Sequence, residues 1–157
     1  MGGLHTGAER GQPTGTPRNG GAAEGRLKPT KPVNVAMTYH DSCYLGRHDK
    51  VYDPPRRIAK AIPGLTLHEM ERRRENGFCC GAGGGHMWME DSGGRRINHM
   101  RTEQFLETRG DTLGVSGPFC LQMFQEGITS KGVQATKQTR DLLEILAESV
   151  GVEEGKG

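Results

Sequence analysis

Aromatic side chains are scarce in this 157-residue sequence, at 5% with a single tryptophan. That scarcity excludes a surface built to stack single-stranded bases. An excess of charge is missing too: 21 basic and 19 acidic residues leave a formal charge of +2, too balanced for a protein that neutralises a phosphate backbone. No apolar run approaches the ~20 residues of a membrane span. None lies between a basic start and a small-residue cleavage site, as a secretory signal would. No internal repeat is present. The chain is therefore expected to be cytoplasmic, with no nucleic-acid partner and no direct membrane span, reaching the inner face of a membrane only through a partner.

The first thirty residues hold eight glycines and three prolines and lack Val, Ile, Phe, Tyr and Trp. Such a segment cannot bury enough apolar surface to offset the entropy of ordering it. The expected organisation is a disordered Gly/Pro-rich leader over 1–31, one folded domain over 32–150 and a disordered tail over 151–157.

Within 32–150, short β-branched runs alternate with helical patterns. Val33 to Tyr39 and Leu65 to Met70 read as strands, with Thr112 to Ser116 a third and Val133 to Thr136 a fourth. Pro54 to Ala61, after Asp53, reads as a helix with prolines in its first turn. Arg95 to Thr108 reads as a helix with Ile97, Met100, Gln104 and Phe105 near one face, and Gly110 stops it. Pro118 opens a helix over PFCLQMFQE. Asp141 to Val150 closes the domain, with Asp141 and Glu144 spaced as a capping box. The pattern predicts an α/β fold: a small, mostly parallel sheet with helices on its faces.

Four cysteines stand out: Cys43, Cys79, Cys80 and Cys120. In a reducing compartment such a set points to metal binding or catalysis rather than a disulfide framework. Each cysteine-bearing segment follows a proposed strand, so parallel pairing would gather all four thiols on one edge of the sheet. Thiolate-only ligation selects zinc or iron-sulfur over hard cations. Structural zinc prefers C-x2-4-C knuckles, whereas adjacent cysteines more readily reach two irons of a cluster. The stretch ENGFCCGAGGGHMWME places Gly81, Gly83, Gly84 and Gly85 directly after the pair. Bare backbone there can bring N–H donors close to sulfur and tune a cluster. The same run fails as a phosphate cradle, because His86 stands where G-x-G-x-x-G needs its last glycine and no G-K-S/T follows.

YHDSCYLGR, ENGFCCGAGGGHMWME and GPFCLQMF, at these separations, closely resemble the cysteine-rich (CCG) domain of heterodisulfide reductase and related iron-sulfur oxidoreductases. The wording is most similar to the C-terminal copy in iron-sulfur proteins linked to electron-transfer flavoprotein. The resemblance covers about Val33 to Val150. It implies an iron-sulfur electron-transfer domain of an oxidoreductase, acting with a flavoprotein or a membrane-associated iron-sulfur subunit, and a detached C-terminal piece of a longer protein. The family pattern is a cysteine, a spacer, an adjacent pair, a second spacer and C-x-x-C. Here 35 residues separate Cys43 from Cys79 and 36 separate Cys80 from Gly117. Gly117 stands where the first cysteine of C-x-x-C belongs, and Ser42 where proline is common. Five cysteines serve the noncubane clusters the resemblance implies, whereas four can complete a [4Fe-4S] cubane.

Other readings of the same residues remain beside that one. The thiols could bind zinc in a non-catalytic interaction module, sit idle as small buried hydrophobes, or act as a Cys79–Cys80 redox pair, although adjacent cysteines form a strained ring. His40, His48 and His86 lie near the cysteines in sequence, able to orient a ligand or replace the missing thiol, or simply to serve as hydrogen-bonded loop histidines. Met87, Trp88 and Met89 read as a hydrophobic lid. Tyr44 and Arg47 read as scaffold, Asp41 as a residue that turns its loop by local bonding, and Arg72 to Arg74 as a solvated loop.

Overall fold

The computed structural model describes residues 28–82 and 96–151. Four short strands make one sheet: β1 (Ala36–Tyr39), β2 (Thr66–His68), β3 (Thr112–Val115) and β4 (Gln138–Asp141), in the order β2-β1-β3-β4. Every pairing is parallel, with Met37 opposite Leu67 and Thr112, and Val115 opposite Asp141. The expected α/β class is therefore present, with a sheet that is parallel throughout. Its C-terminal strand ends share one edge.

Four helices cross between the strands or close the chain: α1 (Asp53–Ala61), α2 (Ile97–Leu106), α3 (Pro118–Ser130) and α4 (Leu142–Val150). Pro54, Pro55 and Pro118 occupy first-turn positions, where a missing N–H costs no helical bond. The Asp141 carboxylate accepts from the Leu143 N–H at 2.8 Å to cap α4. Gly151, left-handed at φ 84°, ends it.

Each face of the sheet buries its own cluster. Met37, Tyr39, Ala59, Ile62, Leu142, Ile145 and Leu146 pack where α1 meets α4. Phe105, Leu113, Val115, Met123, Phe124 and Ile128 pack where α2 meets α3, with Cys80 and Cys120 among them. Side chains alternate along an extended strand, so Tyr39 joins the first cluster while His40 faces the second. The His40 ring meets Phe124 edge-on, with centroids 4.8 Å apart.

Three features depart from the sequence-based expectations. The fourth strand is Gln138–Asp141, not Val133 to Thr136. Residues 133–136 are a turn in which the N–H groups of Thr136 and Lys137 both donate to the Val133 carbonyl. β4 is an edge strand whose polar residues carry no hydrophobic alternation. Helix α3 runs on past Glu126 because Gly127 is a point of close approach: a Cβ there would collide with Thr102 Oγ1 of α2. The buried side of α2 is Asn98, Arg101, Thr102 and Phe105, offset from the expected face. That spacing is helical, yet three of the four residues are polar. At the N-terminal boundary, the N–H groups of Thr30 and Lys31 donate to the Ser149 carbonyl, at 3.0 and 2.9 Å, tying this segment to α4.

A buried ion network braces the C-terminal edge of the sheet. Arg56 of α1 grips both oxygens of Asp41, just beyond β1, at 2.7 and 2.9 Å, and both oxygens of Glu69, just beyond β2, at 2.6 and 3.0 Å. The Arg74 N–H donates to Asp41 at 2.8 Å, and Arg74 itself pairs with Asp53 at 2.7 Å. Asp41 thus bonds across 33 residues of chain, where local bonding was expected, and Arg74 belongs to the brace. Burial by itself would raise the Asp41 carboxyl; the Arg56 guanidinium and the Arg74 N–H outweigh it and hold the group below the usual carboxylate range. The side chains of Arg56 and Asp41 are each 4% exposed, so removing one strands the other charge. Arg56→Met is expected to cost about 3–5 kcal/mol, read from the urea midpoint at pH 7. Stability from Asp41 is complete above about pH 4, where the unfolded carboxyl ionises, and is lost as pH falls through its lower folded value. Asp41→Asn should therefore flatten the acid limb of the stability profile; an unchanged limb would show that the carboxylate contributes nothing.

Candidate metal centre

β1 and β3 are neighbours in the sheet, and β2 flanks β1. The chain leaving β1 runs through His40, Asp41 and Ser42 to Cys43, which opens a π-helical turn over Tyr44–His48. The N–H of Gly46 in that turn donates to the Ser42 carbonyl at 2.8 Å. The chain leaving β2 passes a 3-10 turn at Arg74–Asn76 and reaches Cys79 and Cys80. The chain leaving β3 enters α3, where Cys120 sits in the first turn. Three connections at one sheet edge thus bring the cysteines together.

All four are free thiols, with Cys80 and Cys120 buried and Cys43 and Cys79 half-buried. The sulfurs of Cys80 and Cys120 lie 3.4 Å apart and share a proton. Hydrogen bonding to Cys120 pushes Cys80 up to about 11, and the same contact draws Cys120 down, with Ser42 adding a further bond to it. Cys120 therefore ionises first and Cys80 holds the remaining proton. Cys43 and Cys79 are both near enough for their charge to act on Cys120. They line a shallow cleft with Ser42, Arg47, Arg74 and Phe78. The helix N-terminus proposed to lower Cys120 is present, but the largest influence on that thiol is its partner sulfur.

Gly81 takes φ +90°, where its N–H donates to Cys79 Sγ at 3.3 Å. A Cβ at this position would press on Asn98 N and on Ile97 Cβ, each at 3.2 Å. One of the expected backbone donors is therefore in place. Gly83, Gly84 and Gly85, with His86, Met87, Trp88 and Met89, lie outside the described residues. Tyr44 is exposed, and it stacks loosely on His48, with ring centroids 5.7 Å apart.

One residue of this centre escaped the sequence reading, and a second is placed more closely than its position in the chain implied. Arg101 of α2 is fully buried beside the thiols, and desolvation draws its pKa down to about 10. His40, buried behind the cysteines, is pushed down to about 3 by desolvation and then by Arg101, so it is neutral. The signal for Arg101 was its place in the sequence: Ile97, Arg101 and Phe105 recur every four residues, a charge on a helical stripe that otherwise points inward.

The donor set fits a thiolate-bound cofactor. Four sulfurs with soft-metal chemistry share one pocket edge, at least one of them is readily ionised, and a buried cation stands beside them to offset negative charge. A hard cation would find no free carboxylate here among the described residues, since Asp41 is spent on Arg56 and Arg74.

Comparison with known proteins agrees with this chemistry. A family model described as CCG, cysteine-rich domain, matches residues 37–125. The chain is 52% identical over 126 residues to the probable iron-sulfur-binding oxidoreductase FadF of Bacillus subtilis, covering 80% of this chain and 18% of that protein. It is 45% identical over 131 residues to the EtfAB:quinone oxidoreductase of Syntrophomonas wolfei, covering 79% of this chain and 18% of that one. Against one subunit of the dihydromethanophenazine:CoB–CoM heterodisulfide reductase of Methanosarcina barkeri, identity is 35% over 127 residues, covering 81% and 31%. The chain thus spans less than a third of the length of these curated relatives. No solved structure matches it.

At Gly117, the position of the absent fifth thiol, the backbone has φ 147° and ψ 146°, a region open to glycine and strained for any L side chain. A Cβ built there meets nothing within 4 Å. Space is available and the backbone conformation is not. Gly117→Cys and Gly117→Ala are each expected to lower the stability of the metal-free protein by about 1–3 kcal/mol, compared by urea unfolding. Equal losses would assign the penalty to the backbone, and no loss in either would refute the strain.

Proposed function

The chain belongs to the CCG cysteine-rich domain family, and from that premise we propose that it holds an iron-sulfur cluster on Cys43, Cys79, Cys80 and Cys120 and relays electrons within a larger oxidoreductase. The observation that carries this reading is the convergence of three strand-end loops, which sets the Cys80 and Cys120 sulfurs 3.4 Å apart beside a buried arginine. Four thiolates suit a [4Fe-4S] cluster, whose chemistry is one-electron transfer at a potential set by charge, hydrogen bonding and solvent access. The protein's own residues do the rest. Cys120 presents a thiolate and Cys80 gives up its proton as metal binds, so loading is favoured by rising pH. The Gly81 N–H holds the Cys79 sulfur in place, and Gly83, Gly84 and Gly85 are proposed to continue that row of donors.

The partner in this reading is a protein that donates or accepts single electrons: a flavoprotein, a quinone-linked subunit or a membrane-associated iron-sulfur subunit. Among the described residues no helix is long and apolar enough to cross a membrane. Attachment at the inner face of a membrane would then come through that partner, with the domain itself facing the cytoplasm.

Anaerobic reconstitution with iron and sulfide should give a brown protein with about four irons per chain and an EPR signal after reduction. Cys80→Ser and Cys120→Ser should each lose most of that iron. A chain that circular dichroism shows to be folded, yet retains neither iron nor sulfide, overturns the reading; bound zinc alone would favour a structural metal site instead. In the folded fraction Gly117→Cys is expected to retain more iron, and unchanged iron would count against Gly117 as the place of a lost ligand.

A further inference from the structure

Two buried polar atoms at this centre have no hydrogen-bond partner among the described residues: Nε2 of His40 and Nη2 of Arg101. Both residues are 0% exposed. An N–H left unmet in such a place costs about 1–3 kcal/mol, and more when the group is charged, so two of them side by side point to an acceptor that the protein alone does not supply. The rest of Arg101 is well fixed: Nη1 donates to the Arg72 carbonyl at 2.9 Å and to Gln104 Oε1, and Nε donates to His40 Nδ1 at 3.2 Å.

That last bond determines what His40 can do. A guanidinium keeps its protons, so His40 Nδ1 is the acceptor, and a neutral imidazole then carries its one hydrogen on Nε2. One nitrogen of His40 and the sulfurs of Cys80 and Cys120 all lie within 4.8 Å of one another. With Nδ1 committed to Arg101, the nitrogen left over is Nε2. It has a proton and no free lone pair. His40 is thereby unsuited to replace the thiol missing at Gly117 as a metal ligand, although its distance from the sulfurs by itself would invite that role.

We propose that His40 is a positioning residue of the sulfur centre: Arg101 holds it in the Nε2–H form so that it donates a hydrogen bond to cysteinyl sulfur or to sulfide of a cluster bound there, while the Arg101 guanidinium offsets the negative charge. This rests on the iron-sulfur reading above. Donors aimed at sulfur stabilise the more negative, reduced state and raise the potential. The two unmet N–H groups, and a buried guanidinium bonded to no carboxylate among the described residues, then have one explanation.

Two measurements on the full chain test it. In the metal-free protein, long-range ¹H–¹⁵N correlation of the imidazole should show His40 as the Nε2–H tautomer in wild type, with that preference relaxed in Arg101→Met. A wild-type Nδ1–H tautomer or imidazolium overturns the proposal, and this result stands whether or not iron binds. In the reconstituted protein, His40→Leu should retain iron and lower the reduction equilibrium constant about tenfold, a shift of about 59 mV for a one-electron couple. His40→Gln, which returns an N–H at similar reach, should recover most of the shift. Equal potentials in wild type and His40→Leu, or pulsed EPR showing a nitrogen bonded directly to iron, overturn the assignment. Loss of iron and sulfide from the wild type would instead refute the cluster reading and leave the tautomer result to decide the role of His40.

Discussion

The bidentate grip of Arg56 on Asp41 holds this domain's working edge together. Parallel strands leave their connections hanging beyond the sheet, and loops of this kind have few bonds of their own to fix them. Here the residue that ends β1, the residue that ends β2, helix α1 and the approach to the cysteine pair all meet at one guanidinium. A charge pair buried this far carries a desolvation cost that offsets much of its attraction. Its value is positional: the Cys43 loop and the Cys79 loop are fixed to each other before any metal arrives.

On that frame the thiols divide the work unevenly. Cys80 and Cys120 lie deep, in contact, with α2 behind them, whereas Cys43 and Cys79 line the cleft open to solvent. A cofactor held by such a set would be enclosed on one side and reachable on the other, as an electron carrier requires: isolation from water for most of its surface, and one face for exchange with a partner. The buried cation of α2 lies on the enclosed side, where low polarity makes its charge most effective.

Much of this was legible from residue order. The α/β alternation, the placement of each cysteine after a strand and the gathering of the thiols at one edge follow from β-branched runs, first-turn prolines and spacing. What escaped was carried by polar residues in unexpected surroundings. β4 is QTRD, a strand defined by its ladder to β3 and not by hydrophobic alternation. Asp41 looked like a loop residue because nothing in HDSC announces a partner in α1, and Arg56 looked like a solvent-facing helix charge. The link between His40 and Arg101 was hidden for the same reason: it spans 61 residues, and pairing at that distance leaves no local pattern. Periodicity registers where apolar side chains go; it is silent when the inward stripe is built from amide, hydroxyl and guanidinium.

That silent stripe on α2 has a consequence of its own. A helix seated through leucines can slide a turn and find another greasy surface nearly as good. α2 is seated through Asn98, whose amide meets the Met123 carbonyl at 3.1 Å, through Thr102 at the notch left by Gly127, and through Arg101 threaded to His40. Each of these fits one groove only, and a shift of one turn would leave all three unmet at once. The helix behaves as a key with a single seating, and the width of the pocket behind the sulfurs is set by it to within the length of a hydrogen bond.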